Sequence, residues 1–395
     1  MLRSMFSAIS GLRAHQTKLD VTGNNIANVN TVGYKSSQTV FEDTLSQVIR
    51  NGSAPTAETG GTNPAQVGLG VKVAGITTNF GQGSTQNTGR ATDFMISGDG
   101  FFVTKAGNEN LYTRAGSFDY DGAGNLVTPD GAQLQGWLAR GGSVDPNGPI
   151  DALKIPFGQV MAPKATNAGT LLGNLSTSAA VGDEVETQVT AYDAVGTAHE
   201  IALSFRRTAA GWDVAATENG APRGSGAIAF DASGRLADGT SVDVAVGTGS
   251  MRIDLDGMTQ YGGKTSLTPS GVNGNAMGTL QSISLSGDGT IMGVYSNSLR
   301  EPIGKLAMAT FANPGGLSKA GNSSYRVGDN SGQAVVGEAG TGGRGTLTAG
   351  ALEMSNVDLA EEFTGLIVAQ RGFQANSRVI TSSDEILQDL VNLKR

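Results

Sequence analysis

Apolar side chains recur every seven residues at both ends of this chain. Near the start Met5, Leu12, Leu19 and Ile26 keep that step, with Leu2 and Ile9 on the adjoining stripe. Near the end Leu359, Leu366, Phe373, Ile380 and Leu387 keep it, joined by Leu390 and Val391. A seven-residue step holds one side of a helix toward a partner, and a helix in water without such a partner is marginal. Each end therefore needs a surface to pack on, and the other end is the nearest candidate. Charge agrees with that pairing. Residues 1–35 carry Arg3, Arg13, Lys18 and Lys35 against Asp20, a balance of +3; residues 353–395 carry seven acidic against four basic residues, a balance of −3. Opposite fields favour association, although single exposed pairs contribute little in salt.

Between the seams the pattern changes. The stretch NNIANVNTVGYK, residues 24–35, is rich in Asn and Gly, which tolerate left-handed backbone, so the first helix is predicted to stop between Ile26 and Asn30. Residues 36–75 read as a connecting segment, with a helical patch over Phe41–Ile49 and a loop-like Gly, Thr and Pro run over 51–70. From Val71 onward short strands take over: Phe94 with Ile96, Phe101 to Val103, Leu111 with Tyr112, separated by Gly-containing turns. Val185, Thr187, Val189 and Ala191 alternate in the middle of the chain, as do Val242, Val244 and Val246. The motif Asp-x-x-Gly recurs at Asp121–Gly124, Asp193–Gly196 and Asp231–Gly234, suiting turns in which the Asp oxygen takes backbone N–H groups ahead of it.

The predicted fold is mixed. Two long terminal helices pair in a coiled-coil-like manner, and two mainly-β outer domains nest so that N- and C-terminal segments share the inner domains. The expected boundaries are a helical core of 1–35 with 351–395, the connecting segment 36–75, an inner β domain of 76–145 with 285–350, and an inserted outer β domain of 146–284.

Composition removes several classes of function. A net charge of −8 with no clustered basic face argues against a nucleic-acid partner. The absence of cysteine removes disulfides, thiolate metal sites and thiol nucleophiles together. No stretch approaches the length of a membrane span. The opening MLRSMFSAISGLRAH is a poor secretory signal, being helically spaced and broken by Ser, Gly and Arg, so a chain of this kind that leaves the cell must do so by another route.

Motifs that imitate chemistry fail on context. Gly263, Lys264 and Thr265 resemble the end of a phosphate loop but lack its first glycine in register. Asp119, Asp121, Gly124 and Asp130 fall at calcium-loop positions, yet Ala123 takes a ligand place and a hairpin turn suits the flanks better. His15 and His199 are the only histidines and are far apart. No catalytic, cofactor-binding or metal residues, and no cofactor, are expected.

The terminal blocks carry a resemblance. MLRSMFSAISGLRAHQTKLDVTGNNIANVNTVGYK at the start and GALEMSNVDLAEEFTGLIVAQRGFQANSRVITSSDEILQDLVNLKR at the end are similar to the flagellar axial family of rod and hook subunits. GDGFFV with YTRAGSF in residues 98–118, and GDGTIMGVYSN in residues 287–297, add two shorter matches. The motif positions are Asn24, Asn25, Ala27, Asn28, Thr31, Gly33 and Tyr34. The resemblance implies a structural, non-enzymatic subunit that forms an open helical homopolymer. The extra β region of 146–284 favours the hook branch over the shorter distal rod. Implied partners are the distal rod, hook cap and hook–filament junction proteins and the flagellar type III export gate, with no nucleic acid and no membrane insertion. Phe41 and Leu45 are a candidate export signal by the same resemblance. The rival class is a secreted β-rich adhesin or enzyme.

Overall fold

The computed structural model describes residues 2–56 and 59–392, with Leu2, Leu390 and Val391 described by backbone alone. Two long helices bracket a chain that is otherwise mostly β. The first, α1, spans Leu2–Ala27, and the second, α2, spans Leu359–Asn392. α1 ends within the predicted window: the Asn28 N–H is shared between the Asn24 and Asn25 carbonyls, a tightened last turn. α2 begins at a capping aspartate, Asp358, whose Oδ1 accepts the N–H groups of Ala360 at 2.8 Å and Glu361 at 3.2 Å. Glu361 and Glu362 in its first turn suit the positive end of the helix dipole. The two helices pack against each other.

Residues 36–75 differ from expectation. They form two antiparallel pairs, β1 (Ser37–Asp43), β2 (Ser46–Arg50), β3 (Ala65–Gly68) and β4 (Val71–Thr78), β1 with β4 and β2 with β3. The helical patch predicted over Phe41–Ile49 does not form, and part of the 51–70 run is strand. Leu45, Val48 and Ile49 have helical spacing, but β3 supplies β2 with backbone partners. The β1 register slips between Val40 and Phe41, a bulge that disguises strand alternation in the sequence. At the other end, Ala351–Glu353, expected within the helical core, is a strand on Thr85–Asn87.

Contacts divide the chain into two compact units: Met1–Ile155, Ser284–Met292 and Pro302–Arg395 form one, and Pro156–Ile283 with Gly293–Glu301 form the other. In the first, an antiparallel sheet runs in the order Gln133–Leu138, Phe101–Ala106, Glu109–Thr113, Ser324–Arg326 and Ser318–Gly321. One face buries Phe101, Val103, Tyr112, Trp137 and Tyr325. Their rings meet edge to face: Phe101 lies 5.7 Å from Phe311 and Tyr112 lies 4.9 Å from Phe311.

The second unit contains two five-stranded sheets. One is an antiparallel meander of Glu184–Tyr192, Ala198–Arg207, Trp212–Glu218, Ala221–Phe230 and Leu236–Asp238. The other is centred on Ala168–Asn174. Strand alternation puts Ile201, Leu203 and Phe205 from the first and Val242, Val244 and Val246 from the second into one core. The Asp-x-x-Gly turns form as predicted: Asp193 Oδ1 accepts the N–H groups of Val195 at 3.0 Å and Thr197 at 2.8 Å, and the Gly196 N–H closes on the Asp193 carbonyl.

Candidate assembly surface

The seam residues lie along the paired helices but are not its buried centre. Met5, Leu12, Leu19 and Ile26 on α1 and Leu366, Phe373, Ile380 and Leu387 on α2 are half-buried, and Leu359 is exposed. Apart from Asn25 near the end of α1, the buried positions are small: Ala8, Gly11, Ala14 and Thr22 on α1, Ala369 and Ser383 on α2. A methyl added at Gly11 would stand 2.9 Å from the Asn376 amide, and one at Gly372 would stand 2.5 Å from His15 Nε2. The helices therefore meet closely through glycine, and the large side chains are pushed to the flanks. Phe6, Phe363, Ile367, Val368, Val379 and Ile386 remain exposed. Among the described residues no ion pair joins α1 to α2; the charge pair linking the two ends lies just beyond the helices.

That pair is Lys35 with Glu353. Lys35 Nζ lies 2.6 Å from Glu353 Oε1, and neither side chain is exposed. Lys35 Nζ also donates to the Gly81 carbonyl, and Glu353 Oε1 accepts the Gly83 N–H at 2.9 Å. Arg114 Nη1, itself buried, stands 3.4 Å from Glu353 Oε2. One carboxylate thus faces two cations. Burial pushes the Lys35 ammonium below its ordinary pKa, while the hydrogen bond and charge of Glu353 pull it back.

The Asn-rich motif ties the same junction together. Asn25 is buried; its Nδ2 donates to the Ser37 carbonyl at 2.8 Å and to Glu362 Oε1 at 2.7 Å, and its Oδ1 accepts the Ser37 N–H at 3.0 Å. Tyr34 donates its hydroxyl to Asn25 Oδ1 and accepts from Asn24 Nδ2. Burial and the Glu362 carboxylate push the Tyr34 phenol up, keeping it a neutral donor. Asn28 Nδ2 folds back onto the Asn24 carbonyl, and Thr31 Oγ1 donates to Asn28 Oδ1. Gly33 has φ +67°, and a side chain there would collide with Ala115 backbone; its N–H donates to the Glu353 carbonyl at 2.8 Å. Ala27, the last residue of α1, is exposed.

Phe41 and Leu45 do not meet in one helical turn. Phe41 is half-buried, its ring edge-on to His15 at 5.6 Å, whereas Leu45 is exposed between β1 and β2. The residues that sequence reasoning missed are Lys35, Glu353 and Arg114 as a buried cluster. Lys35 and Glu353 entered only as contributions to net charge; their positions closing NTVGYK and opening the final block were the available signal.

Elsewhere the chemical look-alikes are parts of turns. Asn174 Nδ2 donates to the Lys264 carbonyl beside Gly263, and Asp121 caps its own hairpin through the Ala123 and Asn125 N–H groups. His199 bonds Glu218 and Asp193. Among the described residues no group of three or more His, Asp or Glu side chains is placed to hold a metal ion, and no helix is long and apolar enough to cross a membrane.

The two terminal helices thus pack together, are fastened at their base by Lys35 and Glu353, and leave apolar residues exposed on their flanks. Four family models match in succession: "Flagella basal body rod protein" over residues 5–35, "Flagellar hook protein FlgE/F/G D1 domain" over 95–178, "Flagellar basal body protein FlaE D2 domain" over 176–275 and "Flagellar basal body rod FlgEFG protein C-terminal" over 348–393. The flagellar hook protein FlgE of Borreliella burgdorferi is 38% identical, covering all of both chains. That of Escherichia coli is also 38% identical, over 98% of this chain and 99% of its own. The flagellar basal-body rod protein FlgG of Bacillus subtilis is 35% identical over all of both. The crystal structure of Helicobacter pylori flagellar hook protein FlgE2 shares the fold, with a TM-score of 0.55 at 13% identity, over 66% of this chain and 98% of that one. The chain belongs to the flagellar FlgE/F/G family, and within it to the hook proteins.

Proposed function

We propose that the chain polymerises through its α1–α2 ends into an open helical tube, the curved and flexible hook that passes motor torque to the filament. The observation that carries this is the exposed apolar flank of the helix pair. Phe6, Phe363, Ile367 and Val368 stay largely in contact with water although they sit on the most helical part of the molecule, and a surface of that kind calls for a partner. A contact between unlike patches of identical subunits extends into an open helical filament when its rotation does not close a ring. The tight helix pair acts as a coiled-coil-like strut of the inner tube, with the nested β domains outside it. Partners at the ends of such a tube are the distal rod, cap and hook–filament junction proteins. The type III export gate takes the unfolded chain through the segment around Phe41 and Leu45.

Sedimentation and electron microscopy of the concentrated full chain test this reading. Curved tubes are the expected product, and monodisperse particles at all concentrations would overturn it. A distal-rod role draws support from the full-length likeness to the Bacillus subtilis rod protein. Straight, rigid tubes in the same micrographs would favour it.

A further inference from the structure

The groove between α1 and β4 is an unfilled apolar slot. It has a volume of about 470 Å3, and Phe6, Ile9, Arg13, Thr44, Lys72 and Val73 line it. α1 turns one stripe, Gly11 and His15, toward its own α2, and a second stripe, Phe6, Ser10, Arg13 and Thr17, toward this slot. The far wall is fixed, because the Val71 N–H donates to Ser10 Oγ at 3.2 Å. The chain's own α2 is already engaged on the other stripe through Asn376 and Gly372, so it does not fill the slot.

We infer that the occupant is the first three turns of α2 from a second copy of this chain. In those turns Leu359, Phe363 and Ile367 follow one another at four-residue intervals, an outward stripe that its own chain leaves exposed. An amphipathic helix lying in an apolar groove is anchored by such a stripe. Charge sets the orientation. The slot carries Arg13 and Lys72, whereas residues 358–370 carry Asp358, Glu361 and Glu362 and no basic residue. Among the described residues Lys72 is paired only with Glu42, in an exposed contact that a stronger field can replace. The slot and the stripe are different surfaces and every copy has both, so each docking leaves one of each open for the next subunit. This assignment rests on the polymer reading above and names its contact.

The absence of native cysteine makes thiol mapping direct. The full chain carrying Lys72→Cys with Glu361→Cys, polymerised and then oxidised, is expected to give a ladder of covalent oligomers on a denaturing gel. Each single variant should stop at dimers, and so should Lys72→Cys combined with Gln388→Cys. Polymer that sediments normally but yields no ladder would overturn the contact while leaving the hook reading standing. As a second readout, Arg13→Glu with Lys72→Glu should raise the concentration needed for polymerisation about tenfold. Adding Glu361→Lys to that chain should bring it back. Reversal without effect, or loss without rescue, would refute the docking. Failure of the unsubstituted chain to polymerise is a separate result and removes the function itself.

Discussion

Lys35 and Glu353 stand 318 residues apart in the chain, yet their charged atoms lie 2.6 Å apart and neither side chain reaches solvent. The contact fastens the exit of α1 to the approach of α2. It fixes where the two helices start their run together, and so which faces they bury and which they leave open.

Removing the carboxylate from that cluster should be costly. In Glu353→Gln, Lys35 and Arg114 stay buried without a counter-charge, and breaking a buried pair from one side costs about 3–5 kcal/mol. Lys35→Met should cost less, because Glu353 keeps Arg114 and the Gly83 N–H. Urea unfolding of both variants gives the order, and equal stability of Glu353→Gln and the parent would show that the buried pairing does not hold the two ends together.

Glycine separates two kinds of helical position. Gly372→Ala places a methyl against the His15 ring and should destabilise the helix pair by roughly 1–3 kcal/mol, the cost of overpacking. Gly23→Ala, with no atom within 4 Å of the added methyl, should instead stabilise α1 by about 0.5–1 kcal/mol through helix propensity. Circular dichroism melts resolve the two signs.

The same contrast explains what was legible in the sequence. The seven-residue step of Met5, Leu12, Leu19 and Ile26 located the helices because large apolar residues dominate periodicity. The tight contacts between the helices lie at Gly11 and Gly372, and residues with little or no side chain leave no hydrophobic signal. The strands of residues 36–75 were hidden for another reason. A bulge at Val40 and Phe41 breaks alternation, and the exposed Leu45, Val48 and Ile49 mimic a helical face. The candidate groove joins α1 to β4, elements 44 residues apart by Ala27 and Val71, so only the β1–β4 pairing makes it visible.

Asn25 should behave as a backbone clamp. Asn25→Leu is close in size but strips partners from the Ser37 N–H and carbonyl, from Tyr34 and from Glu362. Each buried polar group left unpaired costs about 1–3 kcal/mol. Amide exchange at Ser37 should accelerate well before global unfolding, and unchanged protection there would mean that the β1–β4 pairing holds the residue without the clamp.

The two histidines should give the two units opposite pH responses. The hydrogen bond to Glu218 is the largest influence on His199, and with Asp193 it raises the imidazole above its ordinary value of 6.5. A raised folded-state pKa means that the His199 contribution is fully present below pH 6.5 and is lost as pH rises through the raised value. His15 is shifted the other way, by burial first and by Lys18 second. Its contribution is fully present above pH 6.5 and is lost as pH falls through the lowered value. The chain has two tryptophans, Trp137 in the first unit and Trp212 in the second, so Trp212→Phe and Trp137→Phe each leave one reporter. Fluorescence-detected unfolding should show the Trp137 unit weakening toward acid and the Trp212 unit weakening toward alkali. His15→Gln should flatten the first trend and His199→Gln the second. Trends of the same sign in both units would mean that carboxylates elsewhere, and not these imidazoles, govern the response.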